Sequence, residues 1–156
     1  MIRKEVDTVV DRFEKFSYAV FEISRCWHKL ATEVMVQYDL KGPYAIYLVT
    51  LLRSPEPMTA ARLCELCGRD KADVSRALSV MEQQDLLLRQ GPQYRACLCL
   101  TEKGQQLARQ ICSRASLAVE LAGQGFSDND REIFYQVLGT ITDNLKTLSK
   151  NGLPEE

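Results

Sequence analysis

Cysteine is the residue type in this chain with the most chemistry to offer. Six of them stand at positions 26, 64, 67, 97, 99 and 112 of 156. Cys64-x-x-Cys67 and Cys97-x-Cys99 form two close pairs, and four thiolates can hold zinc tetrahedrally. The spacing between the pairs lies within zinc-site range. However, a pair on a helix facing a pair on a strand is not a usual zinc ribbon. Small free cysteines are also common in cores, so no metal site is expected. Cys26 sits beside Arg25 and His28, cations that can lower a thiol pKa. Neighbours in sequence point in different directions on a helix, and a redox role for any of the six stays open. A six-cysteine disulfide framework belongs to short secreted proteins. This chain is long and opens on MIRKEVDTVVDRFEKF, charged and helix-patterned rather than a signal peptide, so reduced thiols and a cytoplasmic location are expected. There is one histidine, no glycine-rich phosphate loop and no nucleophile–base motif. No catalytic residue and no cofactor are expected, and the chain does not read as an enzyme.

The cations are the other chemical resource, and they are scarce. Net charge is −1, with 46% hydrophobic and 26% charged residues, an ordinary globular composition. No apolar run is long enough to span a bilayer, so no membrane partner is expected. Over residues 53–103, eight Lys and Arg face seven Asp and Glu. Charge alone does not point to a polyanion.

The elements that must position these groups follow from periodicity and punctuation. Val6, Val9, Val10, Phe13, Phe16, Val20, Ile23, Trp27, Leu30 and Val34 recur every three to four residues, which predicts one long helix over 5–38. Gly42-Pro43 breaks it, a buried helix YAIYLVTLLR follows, and Ser54-Pro55-Glu56-Pro57 stops that one. Thr59 caps a short third helix that Gly68 ends. Asp70 caps a fourth, KADVSRALSVMEQQ, with Val74, Leu78 and Met81 inward. Strands over 86–90 and 94–100 join through Gly91-Pro92-Gln93, with Leu98 and Leu100 on one face and Cys97 and Cys99 on the other. Thr101 caps a fifth helix reaching about Ala122. Gly123 and Gly125 interrupt, and Ser127 with Asp130 forms an acidic capping box for a sixth. The expected fold class is mainly α with a small β-hairpin wing. Residues 1–53 supply N-terminal helices for dimerisation and support, 54–103 a winged helix-turn-helix lobe, and 104–150 C-terminal dimerisation helices.

Two short helices around a glycine turn are a helix-turn-helix unit. Its second helix offers polar residues to base edges, and a hairpin after it is a wing. The ordered set of residues resembles the MarR (multiple antibiotic resistance) family of winged helix-turn-helix transcriptional regulators. Val74-Ser75-Arg76 is similar to that family's recognition-helix VSR. Met81-Glu82 followed by Asp85-Leu86-Leu87 resembles its L-E-x-x-G-L exit, and Leu100-Thr101-Glu102-Lys103-Gly104 matches its LTEKG. The resemblance implies that residues 58–103 touch DNA. Arg69 and Lys71 are expected on phosphates, and Ser75 and Arg76 on phosphates or bases. Asp73 either accepts from a cytosine amino group or extends the helix cap. Arg89 is either a DNA contact or the partner of an acid across the hairpin, and Arg62 is open in the same way. The family wing carries a D-x-R element, whereas this loop, GPQYRA, has no acid. Tyr94 falls where the family arginine sits and Arg95 one position later, so both are candidates for the minor groove.

The resemblance also implies a homodimer on a pseudo-palindromic operator in double-stranded DNA, with apolar stripes on the first, fifth and sixth helices forming the interface. It places a small aromatic effector where dimer helices meet the DNA lobe, near Trp27, His28, Tyr44 and Tyr47, although those four can equally be ordinary aromatic core. The expected function is a sequence-specific transcriptional regulator, a repressor released by a small-molecule or redox signal. The alternative is a winged-helix interaction or dimerisation module without DNA binding, which the near-neutral charge favours.

Overall fold

The long apolar repeat folds as one helix, α1 (Ile2–Met35). The computed structural model describes residues 2–92 and 96–153, with 2–10 by backbone alone. The α-helix ends three residues earlier than the periodicity suggests. A 3₁₀ turn, Val36–Tyr38, tightens the chain, and Asp39 turns left-handed at φ 52°. A second 3₁₀ turn, Gly42–Tyr44, carries Pro43 at its start and packs against α1, with Gly42 lying on Thr32 where a Cβ would collide. α2 (Ala45–Arg53) follows and buries Ala45, Tyr47, Leu48 and Leu51.

Side-chain caps set the next boundaries. Thr59 Oγ1 accepts from the Arg62 N–H at the start of α3 (Ala60–Cys67), and Gly68 closes that helix at φ 59°. In this left-handed conformation a glycine carries no Cβ penalty. Asp70 Oδ1 accepts from the Asp73 N–H at 2.8 Å and opens α4 (Lys71–Gln83). α4 buries Val74, Ala77, Leu78 and Met81, the face its apolar spacing requires.

The sheet has three strands rather than two. β2 (Leu87–Gln90) and β3 (Cys97–Leu100) pair antiparallel with Leu88 opposite Cys99. A two-residue strand, β1 (Met58–Thr59), pairs with the other edge of β3, with Met58 opposite Leu98. Leu86 was expected in the first strand, but its N–H bonds Met81 O at 2.9 Å and closes α4 instead. The second strand was expected from Tyr94. Ala96 is irregular, β3 starts at Cys97, and Tyr94 lies outside the described residues. Leu98 is buried and Leu100 packs against the core, so the face the two leucines share is the inward one.

α5 (Glu102–Ala122) begins on a cluster of bonds made by the LTEKG segment. Thr101 Oγ1 donates to Asp85 O at 2.7 Å and accepts from the Gly104 N–H at 3.0 Å. Lys103 Nζ donates to Gln84 O at 2.8 Å. Gly104 lies against the Leu86 carbonyl, in space that a Cβ would occupy. The motif therefore ties the start of α5 to the end of α4.

The chain divides into two compact units, Met1–Ala115 and Ser116–Glu156. In the first, one core runs from Met35 and Leu40 through α2, α3, α4 and the sheet to Leu107, Ala108 and Ile111 on α5. The second contains the last turns of α5 and α6 (Asp128–Asn151), which the Ser127–Asp130 capping box opens. Arg131 donates there to Gly123 O at 3.1 Å. α6 has no buried residue; Ile133, Phe134 and Val137 are each about half exposed. In the first unit, Phe13, Phe16, Val20 and Ile23 on α1 are also exposed. Among the described residues no helix is long and apolar enough to cross a membrane.

Candidate nucleic-acid interface

With Val74, Leu78 and Met81 in the core, the opposite face of α4 is free. Lys71, Ala72, Ser75, Arg76, Ser79 and Gln83 are all exposed. Lys71 and Ser75 have no side-chain partner among the described residues, so an ammonium and a hydroxyl are available one turn apart. Ser79 was not singled out in the sequence, although it lies four residues after Ser75. Its hydroxyl donates to Ser75 O at 3.0 Å. Arg69 is exposed in the turn between α3 and α4.

Arg76 is exposed and lies 3.8 Å from Asp73 Oδ1, an ion pair too long for a hydrogen bond. Asp73 is not loose on this face. Tyr47 Oη, from the core below, donates to its second carboxylate oxygen at 2.9 Å. Burial, and then the bond to Asp73, push the Tyr47 phenol well above its usual range, so it keeps its proton at neutral pH. This link joins residues 26 apart in sequence, and no local pattern announces it.

The other cations are more engaged. Arg89 donates through Nε to Glu82 Oε1 at 2.7 Å, a pairing with α4 rather than across the hairpin. Arg62 pairs with Glu65 on its own helix at 2.6 Å. Tyr94 and Arg95 lie outside the described residues.

Of the four aromatic and imidazole candidates, Tyr44 and Tyr47 belong to the core, their ring centroids 6.2 Å apart. Trp27 is half-buried and His28 exposed on α1. Two open grooves lie elsewhere, on either side of the Ser54–Pro57 loop. One, of about 670 Å³, runs past Thr50, Arg53, Thr59 and Arg62. The other, of about 320 Å³, runs past Leu52, Leu98 and Gln105. Cys64 and Cys67 pack against the core, with Cys67 Sγ 3.6 Å from Thr50 Oγ1. Among the described residues no group of three or more His, Cys, Asp or Glu is arranged to hold a metal.

Comparison with known proteins places this arrangement. Residues 38–94 match the MarR family model, from the 3₁₀ turn after α1 into the wing. No curated protein matches the chain in sequence. Solved structures do match in fold. A MarR transcriptional regulator from Methanosarcina mazei is 21% identical with a TM-score of 0.78, over 86% of this chain and 92% of that one. A MarR-family regulator from Listeria monocytogenes, complexed with 26mer DNA, is 21% identical with a TM-score of 0.76, over 89% and 96%. CouR from Rhodococcus jostii, bound to p-coumaroyl-CoA, is 16% identical with a TM-score of 0.65, over 90% and 95%. The matching segment spans both helices of the helix-turn-helix, and the chain shares a winged-helix fold with MarR regulators over most of its length.

Proposed function

We propose that this protein is a sequence-specific DNA-binding regulator that acts as a homodimer on a pseudo-palindromic operator. The observation that carries the reading is the outward face of α4, where Lys71, Ser75 and Arg76 are exposed on a helix whose opposite side is buried in the core. A helix presented in this way fits the major groove. Arg69 and Lys71 reach phosphates, Ser75 and Arg76 read base edges, and the wing carries Tyr94 and Arg95 to the neighbouring minor groove. That the Listeria neighbour is complexed with DNA supports DNA binding on this fold.

Two subunits set the spacing of two α4 helices. The uncovered apolar faces of α1 and α6 suit a second copy of the chain. The protein acts in the cytoplasm as a repressor, and a small aromatic effector or a thiol oxidation releases it by favouring a different lobe spacing. The effector site lies in the region of Trp27, His28, Tyr44 and Tyr47. That CouR is bound to p-coumaroyl-CoA supports a small-molecule ligand on this fold.

Fluorescence anisotropy on the intergenic DNA beside the gene, run over a salt series, tests the reading. Tight binding to one segment over a scrambled duplex is expected. With about four phosphates neutralised by Arg69 and Lys71 of two subunits, the log–log salt slope should be roughly −4. No selectivity at low salt would sink the reading. It would favour an interaction module without DNA binding, which the charge excess of only one over residues 53–103 also suits.

A further inference from the structure

The Tyr47–Asp73 bond has no part in the DNA contacts proposed above, which need only exposed groups. Tyr47 is fully buried. Its hydroxyl fixes Asp73 Oδ2, and the Asp73 N–H is already taken by the Asp70 cap. The acid is thus held at both its backbone and its side chain. Its remaining oxygen faces the Arg76 guanidinium, one turn along the helix. A carboxylate on a DNA-facing turn repels phosphate unless its charge is engaged. An arginine reads guanine only when its fork is aimed, because both N–H groups must meet O6 and N7 together. A fixed acid beside it supplies that aim at little entropic cost.

We infer that Tyr47 is a positioning residue for DNA reading: it anchors Asp73, and the anchored Asp73 directs the Arg76 guanidinium towards base edges. The inference rests on the DNA-binding reading proposed above. It also places the acid–arginine pair in the recognition helix of a chain whose wing loop has no acid.

The test measures affinity for the selected operator and for a scrambled duplex at one salt concentration, with thermal stability read alongside. The variants are Tyr47→Phe, Arg76→Ala, the double variant and Asp73→Asn. Tyr47→Phe should lower operator affinity about 5- to 10-fold, leave scrambled binding unchanged, and have no further effect once Arg76 is alanine. Asp73→Asn should lose the same operator preference while scrambled binding tightens, because a negative charge has gone. The inference is overturned if Tyr47→Phe keeps the full preference, weakens both duplexes equally, or adds independently to Arg76→Ala. Should Tyr47→Phe fold poorly, Asp73→Asn carries the test from the surface, and unchanged preference there overturns it equally. No preference in the unaltered protein overturns the DNA-binding reading, and the inference with it.

Discussion

Asp85 adopts φ 58° immediately after α4, where the Asp85 N–H bonds Glu82 O and the Leu86 N–H bonds Met81 O. This is a left-handed helix exit, a conformation that favours glycine. The MarR exit pattern L-E-x-x-G-L has glycine where this chain carries Asp85, and only the left-handed turn gives that difference a reason. Asp85→Gly should therefore stabilise the protein, by up to about 1 kcal/mol, because relief of the left-handed Cβ outweighs the added freedom of the unfolded chain. The Asp85 carbonyl that accepts from Thr101 is backbone and survives the change. A urea midpoint that falls for Asp85→Gly would refute this account of the turn. Gly104 makes the opposite case. Gly104→Ala pushes a methyl into the Leu86 carbonyl and should cost about 1–3 kcal/mol. The LTEKG motif was readable as a family mark, but its reason is steric and appears only when α5 and the α4 exit are placed together. The Tyr47–Asp73 bond was illegible for a similar reason. Tyr47 read as an aromatic among aromatics, and Asp73 as a cap or a base contact, since nothing local links a phenol on α2 to an acid on α4.

The caps were the most legible features among the elements. Thr59, Gly68, Asp70 and Ser127 each end or begin a helix as read, because a cap is local: three of them accept from a backbone N–H three residues on, and Gly68 takes a left-handed turn. β1 was missed because its two residues have no pattern of their own and are fixed by Leu98 and Cys97, about forty residues later. The end of α1 was overrun because Tyr38 continues the apolar spacing while Asp39 turns the chain. The α6 cap carries a pH prediction. The Ser127 hydroxyl and N–H hold the Asp130 carboxyl below its ordinary range. A depressed folded pKa stabilises above the unfolded value, and that contribution fades as pH falls through the folded one. Ser127→Ala should thus cost more stability at pH 7 than at the lower end of an acid titration, well below pH 4, where only the loss of the Asp130 N–H bond to Ser127 Oγ remains. Equal losses at both ends would mean the box contributes nothing through Asp130. For α4, Arg76→Ala should reduce operator affinity by about 1–3 kcal/mol with little change in melting temperature, since Arg76 is exposed. Unchanged affinity would mean that another face of the lobe meets DNA.

The whole molecule poses the question of what covers its apolar helices. α1 leaves Phe13, Phe16, Val20 and Ile23 exposed in the first unit, and α6 leaves Ile133, Phe134, Val137 and Leu138 exposed in the second. In the sequence both stripes read as a homodimer interface, with a monomeric helical core as the alternative. The fold of a single chain leaves them bare, because the partner that periodicity implies need not be the same molecule. Burying even four such side chains per subunit removes apolar surface worth several kcal/mol, at about 1.5–3 kcal/mol each before association costs. A second copy offers the same stripes by symmetry and yields two α4 helices on one molecule. Sedimentation should give about twice the 17.7 kDa chain mass at micromolar concentration. The melting temperature should rise with protein concentration, as linkage requires when folding and association are coupled. Phe134→Lys with Val137→Lys should produce a monomer that melts at a lower, concentration-independent temperature. That monomer should also lose operator binding more steeply than binding to a single half-site, because only the dimer fixes the spacing between two recognition helices. A monomeric unaltered protein with a concentration-independent melt would require some other partner for both stripes.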